Sequence, residues 1–250
     1  MPASPTPRLF AHRFGRAYGP DSAASTLAAA FAQGELDGLE TDCCLTADGR
    51  LALLHVNYLP LCTTLGGWAH ERTAAEITAS QLKDAKGRPV DEHPLLLEDL
   101  WPLIEGHELT VQLEVKAVGD ADLADRTAAV LNEALATSPP PPGVHVEVIS
   151  FWPDSLPVAA SAGWDTRLIL ATPHTPAALG AWANEHGVTG IILEAPFWDP
   201  RHVDVWRAAG LSVMSGVCND ADYARLLVLP YAPDAICTDR PHELRAALEA

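Results

Sequence analysis

Short apolar runs alternate with longer segments of helical period along almost the whole chain. This alternation is typical of βα units arranged around a parallel sheet. The predicted parallel strands are Arg8–Arg13, Gly38–Thr46, Leu109–Ala117, Val144–Ser150, Thr166–Ala171, Gly190–Glu194, Leu211–Val217 and Ala235–Thr238. The predicted helices are Ser25–Gln33, Ala74–Ala85, Leu96–Ile104, Asp122–Ala136, Asp154–Ala162, Pro176–His186, Arg201–Ala209, Ala221–Leu229 and one from His242. About eight parallel strands in 250 residues predict an α/β fold, a (β/α)8 TIM barrel.

One unit departs from this regular alternation. The second strand turns through Ala47-Asp48-Gly49 into another extended run, Arg50–Val56, and an Asp-Gly pair between apolar runs indicates a hairpin. We therefore predict a small insertion after the second strand. The Pro-rich segment 138–142 has a βα unit on each side, so we interpret residues 1–250 as a single domain.

Composition narrows the class of protein. Hydrophobic residues make up 48% of the chain and charged residues 20%, which is enough to build a large core. The net charge of −17 argues against a nucleic-acid partner or an anionic membrane surface, so a bound phosphate would need local cations. We see neither a leader segment nor a membrane span, and we expect a cytoplasmic protein. The five cysteines have no C-x-x-C spacing, which argues against a disulfide framework or a structural zinc site.

Polar residues gather where the first strands end, and a barrel carries its catalytic groups at these ends. The candidates are His12, Arg13, Glu40, Asp42, His55, Glu114 and Lys116. Residues two apart on a strand point to the same face, so the three carboxylates should converge in the barrel mouth. Crowded carboxylates take up protons or bind a divalent cation, and oxygen ligands suit Mg²⁺ or Ca²⁺ better than zinc. A structural salt bridge is the alternative for Glu40 or Asp42.

The two histidines and two cations suggest further roles. Imidazole titrates nearest neutral pH, so His12 and His55 could act as general acid and base. The other histidines in the chain have no comparable setting, and we interpret them as surface or loop residues. Arg13 and Lys116 are the cations at these strand ends, and they would hold an anionic substrate.

At these residues the chain resembles a known family, the glycerophosphodiester phosphodiesterases. The similar segments are Ala11–Arg13 (AHR), Ser25–Phe31 (STLAAAF), Gly38–Leu59 (GLETDCCLTADGRLALLHVNYL), Thr63–Gly66 (TTLG), Leu113–Lys116 (LEVK), Val148–Phe151 (VISF), Asn219-Asp220 after AGLSV, and Ile236–Pro241 (ICTDRP). No single segment is specific, but the ordered set covers nearly the whole chain.

This resemblance implies a barrel that hydrolyses glycerophosphodiesters to glycerol 3-phosphate and an alcohol with a divalent metal, Mg²⁺ or Ca²⁺. By position, the resemblance makes Glu40, Asp42 and Glu114 metal ligands. It makes His12 and His55 the acid/base pair, and it places Arg13, Lys116 and Phe151 at the substrate. In the mechanism it implies, a glycerol hydroxyl attacks phosphorus while one histidine removes its proton and the other protonates the leaving alcohol. Water then opens the cyclic phosphate.

The chain departs from the family pattern around these residues. Phe14 stands where glycine is usual, Val56 where aspartate is usual, and Gly216 where tryptophan is common. In the loop after Phe14, either Ala24 or Asp21 aligns with the family's glutamate. These positions surround the proposed ligands and bases, so we expect an altered preference for the alcohol.

For other residues near strand ends, the sequence allows more than one role. The aromatic residues that could line the pocket are Tyr58, Trp68, Phe151, Trp152 and Trp198. Glu194 is as well suited to a cap or salt bridge as to a substrate contact, and Asp239 is predicted to cap the last helix.

Three alternatives stay open, and the sequence leaves the oligomeric state undetermined. The first is a lysophospholipase D-like phosphodiesterase, which would show an apolar rim near Leu59–Trp68. The second is a Schiff-base aldolase barrel with Lys116 as the nucleophile. The third is a catalytically weakened barrel that binds a phosphodiester without efficient turnover.

Overall fold

A computed structural model of the chain describes residues 7–171, 174–194 and 199–250. Eight parallel strands form a closed barrel, and one antiparallel strand, β3, extends from it. The strands are β1 (Arg8–Ala11), β2 (Gly38–Leu45), β3 (Leu51–Leu53), β4 (Leu109–Val115), β5 (Val144–Ser150), β6 (Asp165–Leu170), β7 (Gly190–Leu193), β8 (Ser212–Val217) and β9 (Ala235–Thr238). The order around the barrel is β1-β2-β4-β5-β6-β7-β8-β9, and pairing of β1 with both β2 and β9 closes it. The predicted (β/α)8 barrel is confirmed.

Helices between the strands surround the barrel. They are α1 (Ala24–Gln33), α2 (Ala74–Thr78), α3 (Leu97–Ile104), α4 (Ala121–Thr137), α5 (Leu156–Ser161), α6 (Pro176–Glu185), α7 (Pro200–Ala208), α8 (Ala221–Tyr223) and α9 (Pro241–Glu249). Apolar side chains of the strands pack outward against apolar faces of these helices, as Leu113 of β4 and Leu131 of α4 do in one buried cluster. Within the described ranges, no helix has the length and apolar character needed to cross a membrane.

A second apolar cluster fills the barrel interior beneath its mouth. Its members are Phe10, Ile149, Ile169, Ile192, Met214, Ala235 and Cys237. Because side chains alternate between the two faces of a strand, residues two positions beyond these point into the mouth. This layer forms the floor of the site described below.

The insertion after β2 is present, but its helix is shorter than the sequence pattern predicts. β3 pairs antiparallel with β2, as the Asp-Gly signal indicates. The helix predicted over Ala74–Ala85 ends at Thr78, so that expectation is wrong in its second half. Leu82 instead bridges Thr63 and accepts a backbone hydrogen bond from Val90, which holds this stretch extended. These contacts join distant parts of the insertion, and helical periodicity does not report them.

The helix predicted over Ala221–Leu229 is also irregular. α8 has a single regular turn, and a π-helical turn, Ala224–Val228, and a 3₁₀ turn, Leu229–Tyr231, continue it. Pro230 lies in the last of these turns, and proline lacks the N–H that regular helical pairing needs. The chain therefore reaches β9 through wider and tighter turns rather than through one straight helix.

Candidate active site

The chain leaves β1 through a tight turn that presents two of the predicted residues to the mouth. His12–Phe14 forms a 3₁₀ turn in which Arg13 and Phe14 have φ of +48° and +68°. The left-handed conformation costs a residue with a side chain about 1–2 kcal/mol, and glycine avoids this cost. Phe14 is fully buried in the core between the barrel and its helices, and this burial offsets the strain. Phe14 therefore lies outside the substrate mouth.

Three buried carboxylates from β2 and β4 meet in the barrel mouth. Register places Asp42 beside Glu114, and Glu40 lies two residues earlier on the same face of β2. One carboxylate oxygen from each of the three lies within 4.8 Å of the others. Burial, together with the charges of Asp42 and Glu114, raises the pKa of Glu40 well above its usual range. Burial and Asp42 likewise raise the pKa of Glu114 to about 7.

Two cations partly balance this negative charge. The Nζ atom of Lys116 lies 2.8 Å from Asp42 Oδ1 and 2.7 Å from Glu114 Oε1. Burial would lower the pKa of Lys116, but these two carboxylates raise it above its ordinary value. On the other side, Arg13 Nη1 donates to Asp21 Oδ2 at 2.7 Å. Asp21 thus supplies the acidic group of this loop, which favours the alignment that places Asp21 rather than Ala24 at the family's glutamate.

The carboxylate cluster leaves polar atoms without partners. Among the described residues, neither Asp42 Oδ2 nor Arg13 Nε makes a hydrogen bond, although both are buried and lie 3.7 Å apart. A buried carboxylate oxygen without a donor is costly, and a hard divalent cation would satisfy it. The donors are all carboxylate oxygens, so the chemistry of Glu40, Asp42 and Glu114 fits Mg²⁺ or Ca²⁺.

His12 has a carboxylate partner that sets its tautomer. Its Nδ1 lies 2.6 Å from Asp239 Oδ1, and Asn219 Nδ2 donates to the other oxygen of Asp239 at 2.7 Å. Because a carboxylate accepts, Nδ1 carries a proton and Nε2 faces the mouth, 3.9 Å from Glu40 Oε2. The prediction that Asp239 caps the last helix is wrong, since Arg240 precedes α9 and no side chain caps it. Asp239 instead pairs with the imidazole of His12.

His55 lies in a different environment on the insertion side of the mouth. It has no hydrogen-bond partner among the described residues. Burial lowers the pKa of His55 to about 4, although Asp42 favours its charged form. His55 is therefore neutral at pH 7, and it can accept a proton.

A cavity of about 170 Å³ connects these groups. Seven of the eight predicted site residues line it, and Asp42, the eighth, lies beneath them in contact with Lys116. A second cavity of about 360 Å³ opens on the other side of His55, between Arg13 and the insertion residues Leu61 and Lys83. The structure thus brings all the predicted residues into one centre, with one cavity on each side.

The aromatic residues predicted near the pocket lie in different parts of the structure. Phe151 lines the cavity with the carboxylates, whereas Trp152 donates its indole N–H to Ala117 O at 2.8 Å beside it. Tyr58 and Trp68 contact each other on the insertion, with ring centroids 5.0 Å apart. Trp198 lies outside the described residues.

The structure places Glu194, whose role the sequence left open, and adds Asn57, which the sequence pattern does not single out. Glu194 lines the cavity, and Asn57 is buried and holds the β4 end by donating to Lys116 O and accepting from Val118 N. Glu194 follows the inward-facing Ile192 by two positions, which is a signal that it points into the mouth. Nothing comparable marks Asn57, because its partners lie about 60 residues away.

Known structures with the same architecture cover nearly the whole chain. A phosphodiesterase from Oleispira antarctica, solved with the product sn-glycerol-3-phosphate, has a TM-score of 0.83 at 23% identity, over 98% of this chain and 97% of that one. A glycerophosphodiester phosphodiesterase from Parabacteroides distasonis has a TM-score of 0.74 at 19% identity, over 97% and 96%. That of Agrobacterium tumefaciens has a TM-score of 0.70 at 20% identity, over 96% and 100%. The three structures therefore have the same fold as this chain.

A comparison with curated protein sequences found no match. The family model described as "Glycerophosphoryl diester phosphodiesterase family" matches residues 12–243, from the turn after β1 into α9. The matched range contains every predicted site residue. The chain therefore belongs to the glycerophosphoryl diester phosphodiesterase family and is a phosphoric diester hydrolase.

Proposed function

We propose that the chain hydrolyses glycerophosphodiesters to glycerol 3-phosphate and an alcohol, with Mg²⁺ or Ca²⁺ held by Glu40, Asp42 and Glu114. One observation carries the proposal: two histidines in contrasting electrostatic settings flank a carboxylate cluster that has unsatisfied atoms and two adjacent cations. The product bound to the Oleispira antarctica phosphodiesterase, sn-glycerol-3-phosphate, agrees with this reaction. A bound divalent ion would neutralise charge on the phosphoryl oxygens.

Arg13 and Lys116 hold the phosphate in this account. Both cations lie at the mouth beside the carboxylates, and the Lys116 ammonium stays protonated between Asp42 and Glu114. A diester phosphate carries one negative charge, and these cations offset its repulsion by the acidic cluster. The same environment disfavours a Schiff-base aldolase, because such a nucleophile needs an unprotonated lysine.

The different settings of the two histidines support different roles in this proposal. Neutral His55 takes the proton from the glycerol hydroxyl that attacks phosphorus. His12, whose Nδ1 is held by Asp239, gives its Nε2 proton to the leaving alcohol. In the second step the roles reverse: His12 activates the water that opens the cyclic phosphate, and His55 returns its proton to the glycerol oxygen.

The experiment that tests this function is release of glycerol 3-phosphate from glycerophosphocholine and glycerophosphoethanolamine, with Mg²⁺, Ca²⁺ or Mn²⁺ or with a chelator. We compare the wild type with His12→Ala and use His145→Ala as the matched control. His145 is an exposed histidine that also contacts an aspartate, Asp165 at 2.9 Å. We expect metal-dependent product that His12→Ala loses and His145→Ala retains. A folded wild type that forms no product with any metal would contradict the proposal and favour the weakened, binding-only barrel.

A lysophospholipase D-like activity is the second candidate, because the insertion exposes apolar side chains beside the His55 cavity. Leu61 is 66% exposed, and Tyr58 and Trp68 are also exposed. Such a rim could receive the acyl chain of a lysophospholipid. Assay of lysophosphatidylcholine beside glycerophosphocholine tests this candidate. Preference for the acylated substrate, lost in Leu61→Ser, would support it, and hydrolysis of the deacylated substrate alone would exclude it.

A further inference from the structure

The wall of the cavity on the His12 side has a carboxylate that the proposed mechanism does not use. Glu194 follows β7, two residues after Ile192 of the barrel floor, and Gly216 on β8 is two residues after Met214 of the same layer. Alternation along β7 turns Glu194 into the mouth, whereas the register of β8 against β9 shifts between Ser215 and Val217, so that both Gly216 and Val217 reach the cavity. Glu194 and Gly216 both line the cavity that contains His12 and the carboxylate cluster.

Gly216 makes room for the Glu194 carboxylate. A Cβ atom added at Gly216 would lie 2.5 Å from Glu194 Oε1 and 2.9 Å from its Cδ, closer than such atoms approach each other. Any larger side chain at position 216 would therefore have to displace this carboxylate. The family commonly has tryptophan at this position. In this chain Gly216 leaves out the aromatic side chain, and the negatively charged Glu194 carboxylate lies in the space beside it.

The Glu194 carboxylate is unpaired within the part of the chain that the structure describes. Among the described residues it makes no hydrogen bond or salt bridge. Burial raises the pKa of Glu194, and His12 is the charged group that opposes this shift. A half-buried carboxylate without a donor is unfavourable, and a cationic ligand that enters the cavity would pair with it.

The remaining walls suit the body of an organic cation. The cavity includes Phe151, whose side chain is 41% exposed, and the apolar residues Ile169 and Val217. Aromatic faces and a single carboxylate together recognise ammonium groups, because the ring attracts the cation and the apolar surface contacts its carbon atoms. A neutral alcohol would leave the carboxylate unpaired.

We propose that Glu194, admitted by Gly216, binds the ammonium group of the leaving alcohol, so that the enzyme prefers diesters of cationic amino alcohols to those of neutral alcohols. This inference rests on the proposed function, since it names the alcohol released by that reaction. Glycerol and phosphate carry no positive charge, so the alcohol is the part of the substrate that Glu194 can attract. The location agrees with His12, the neighbour of Glu194, as the acid that protonates this alcohol.

The test compares glycerophosphocholine with its neutral carbon isostere, the 3,3-dimethylbutyl diester, in which carbon replaces the quaternary nitrogen. We expect the wild type to favour the choline diester in kcat/KM by about tenfold, and Glu194→Gln to bring this ratio near unity. Glu185→Gln is the matched control because it removes the same charge at the C-terminal end of α6, at the opposite end of the barrel. It should keep the wild-type ratio. If Glu194→Gln kept the wild-type ratio of kcat/KM for the two diesters, the inference would be overturned. This holds even if kcat/KM fell equally for both diesters.

A second variant and a binding measurement separate this inference from the proposed function. Gly216→Ala should lower the ratio as Glu194→Gln does, because the added methyl group displaces the carboxylate. Binding of choline and of 3,3-dimethylbutanol, followed by NMR without turnover, should show a preference for choline that Glu194→Gln loses. If the wild type hydrolyses neither diester, the proposed function fails, and the choline preference still decides the inference. Equal binding of the two alcohols by the wild type would overturn it.

Discussion

Two groups of charged residues are buried in this barrel, and they are built differently. Toward the N-terminal end of the barrel, Glu147 receives hydrogen bonds from Arg167 Nε at 2.7 Å and Nη2 at 2.6 Å, and from Gln112 at 2.7 Å. One anion therefore meets one cation. At the mouth, Asp42 and its two carboxylate neighbours outnumber the adjacent cations, Arg13 and Lys116. The buried atoms without a hydrogen bond there belong to charged groups, Asp42 Oδ2 and Arg13 Nε, whereas in the deeper cluster such an atom is the neutral amide oxygen of Gln112.

This difference indicates a structural role for the Glu147–Arg167 cluster and supports the proposed cation site at the mouth. Arg167 lowers the pKa of Glu147 against the effect of burial, so the ionised pair is the stable form of the folded protein. Burial raises the pKa of Glu40 and of Glu114 at the mouth, so full ionisation there opposes folding until a cation arrives. The Glu147–Arg167 cluster should therefore contribute to stability, and the carboxylate cluster at the mouth should contribute to binding and catalysis.

The largest expected effect is loss of activity in Glu40→Gln. Because glutamine has the shape of the protonated acid but cannot supply an anionic oxygen, we expect kcat/KM to fall by at least about 10²-fold. The free energy of unfolding in the absence of metal should stay equal or rise, since the substitution removes repulsion from Asp42 and Glu114. Parallel activity assays and urea denaturation check both parts. If Glu40→Gln kept its activity and its free energy of unfolding fell by several kcal/mol, the distinction between a structural and a binding cluster would be contradicted.

Glu147→Gln should give the opposite result. It leaves the Arg167 guanidinium buried without its anionic partner, so the free energy of unfolding should fall by about 3–5 kcal/mol. The folded fraction should keep its wild-type kcat/KM. Glu133→Gln, on the exposed face of α4, is the control for loss of one charge. Replacing both partners together, Glu147→Leu with Arg167→Met, should recover part of the lost stability, and failure to recover would argue against an unpaired-charge cost.

The smallest expected effect is a pH dependence of stability with opposite signs in the two clusters. The folded-state pKa of Glu147 is lowered, so its stabilisation is present above about pH 4.5 and is lost as pH falls through that pKa. The pKa of Glu114 is raised to about 7, so metal-free protein should lose stability as pH rises from about 4.5 to 7. Urea denaturation with a chelator, both below about pH 4.5 and from about pH 4.5 to 7, checks the two signs. Glu114→Gln should flatten the slope, and an unchanged slope would exclude Glu114 as its source.

The sequence predicts the barrel and the positions of the groups at its mouth because both follow from local periodicity. Glu40 and Asp42 share a strand face by alternation, and Glu114 joins them because β4 is the next barrel strand. The pairing of His12 with Asp239 is not predictable in this way, since 227 positions separate them and only barrel closure through β1 and β9 joins them. Long-range packing likewise imposes the positive φ of Phe14 against its local preference.

A titration with Mg²⁺ or Ca²⁺ would show whether the carboxylates at the mouth bind a divalent cation while the Glu147–Arg167 cluster does not. Calorimetry would measure cation binding to metal-free wild type, Glu40→Gln and Glu147→Gln at a temperature where all three are folded. We expect the wild type and Glu147→Gln to bind the cation, and we expect binding to be weakened or lost in Glu40→Gln. Equal affinity for the cation in wild type and Glu40→Gln, or no binding by any of the three proteins, would contradict this expectation.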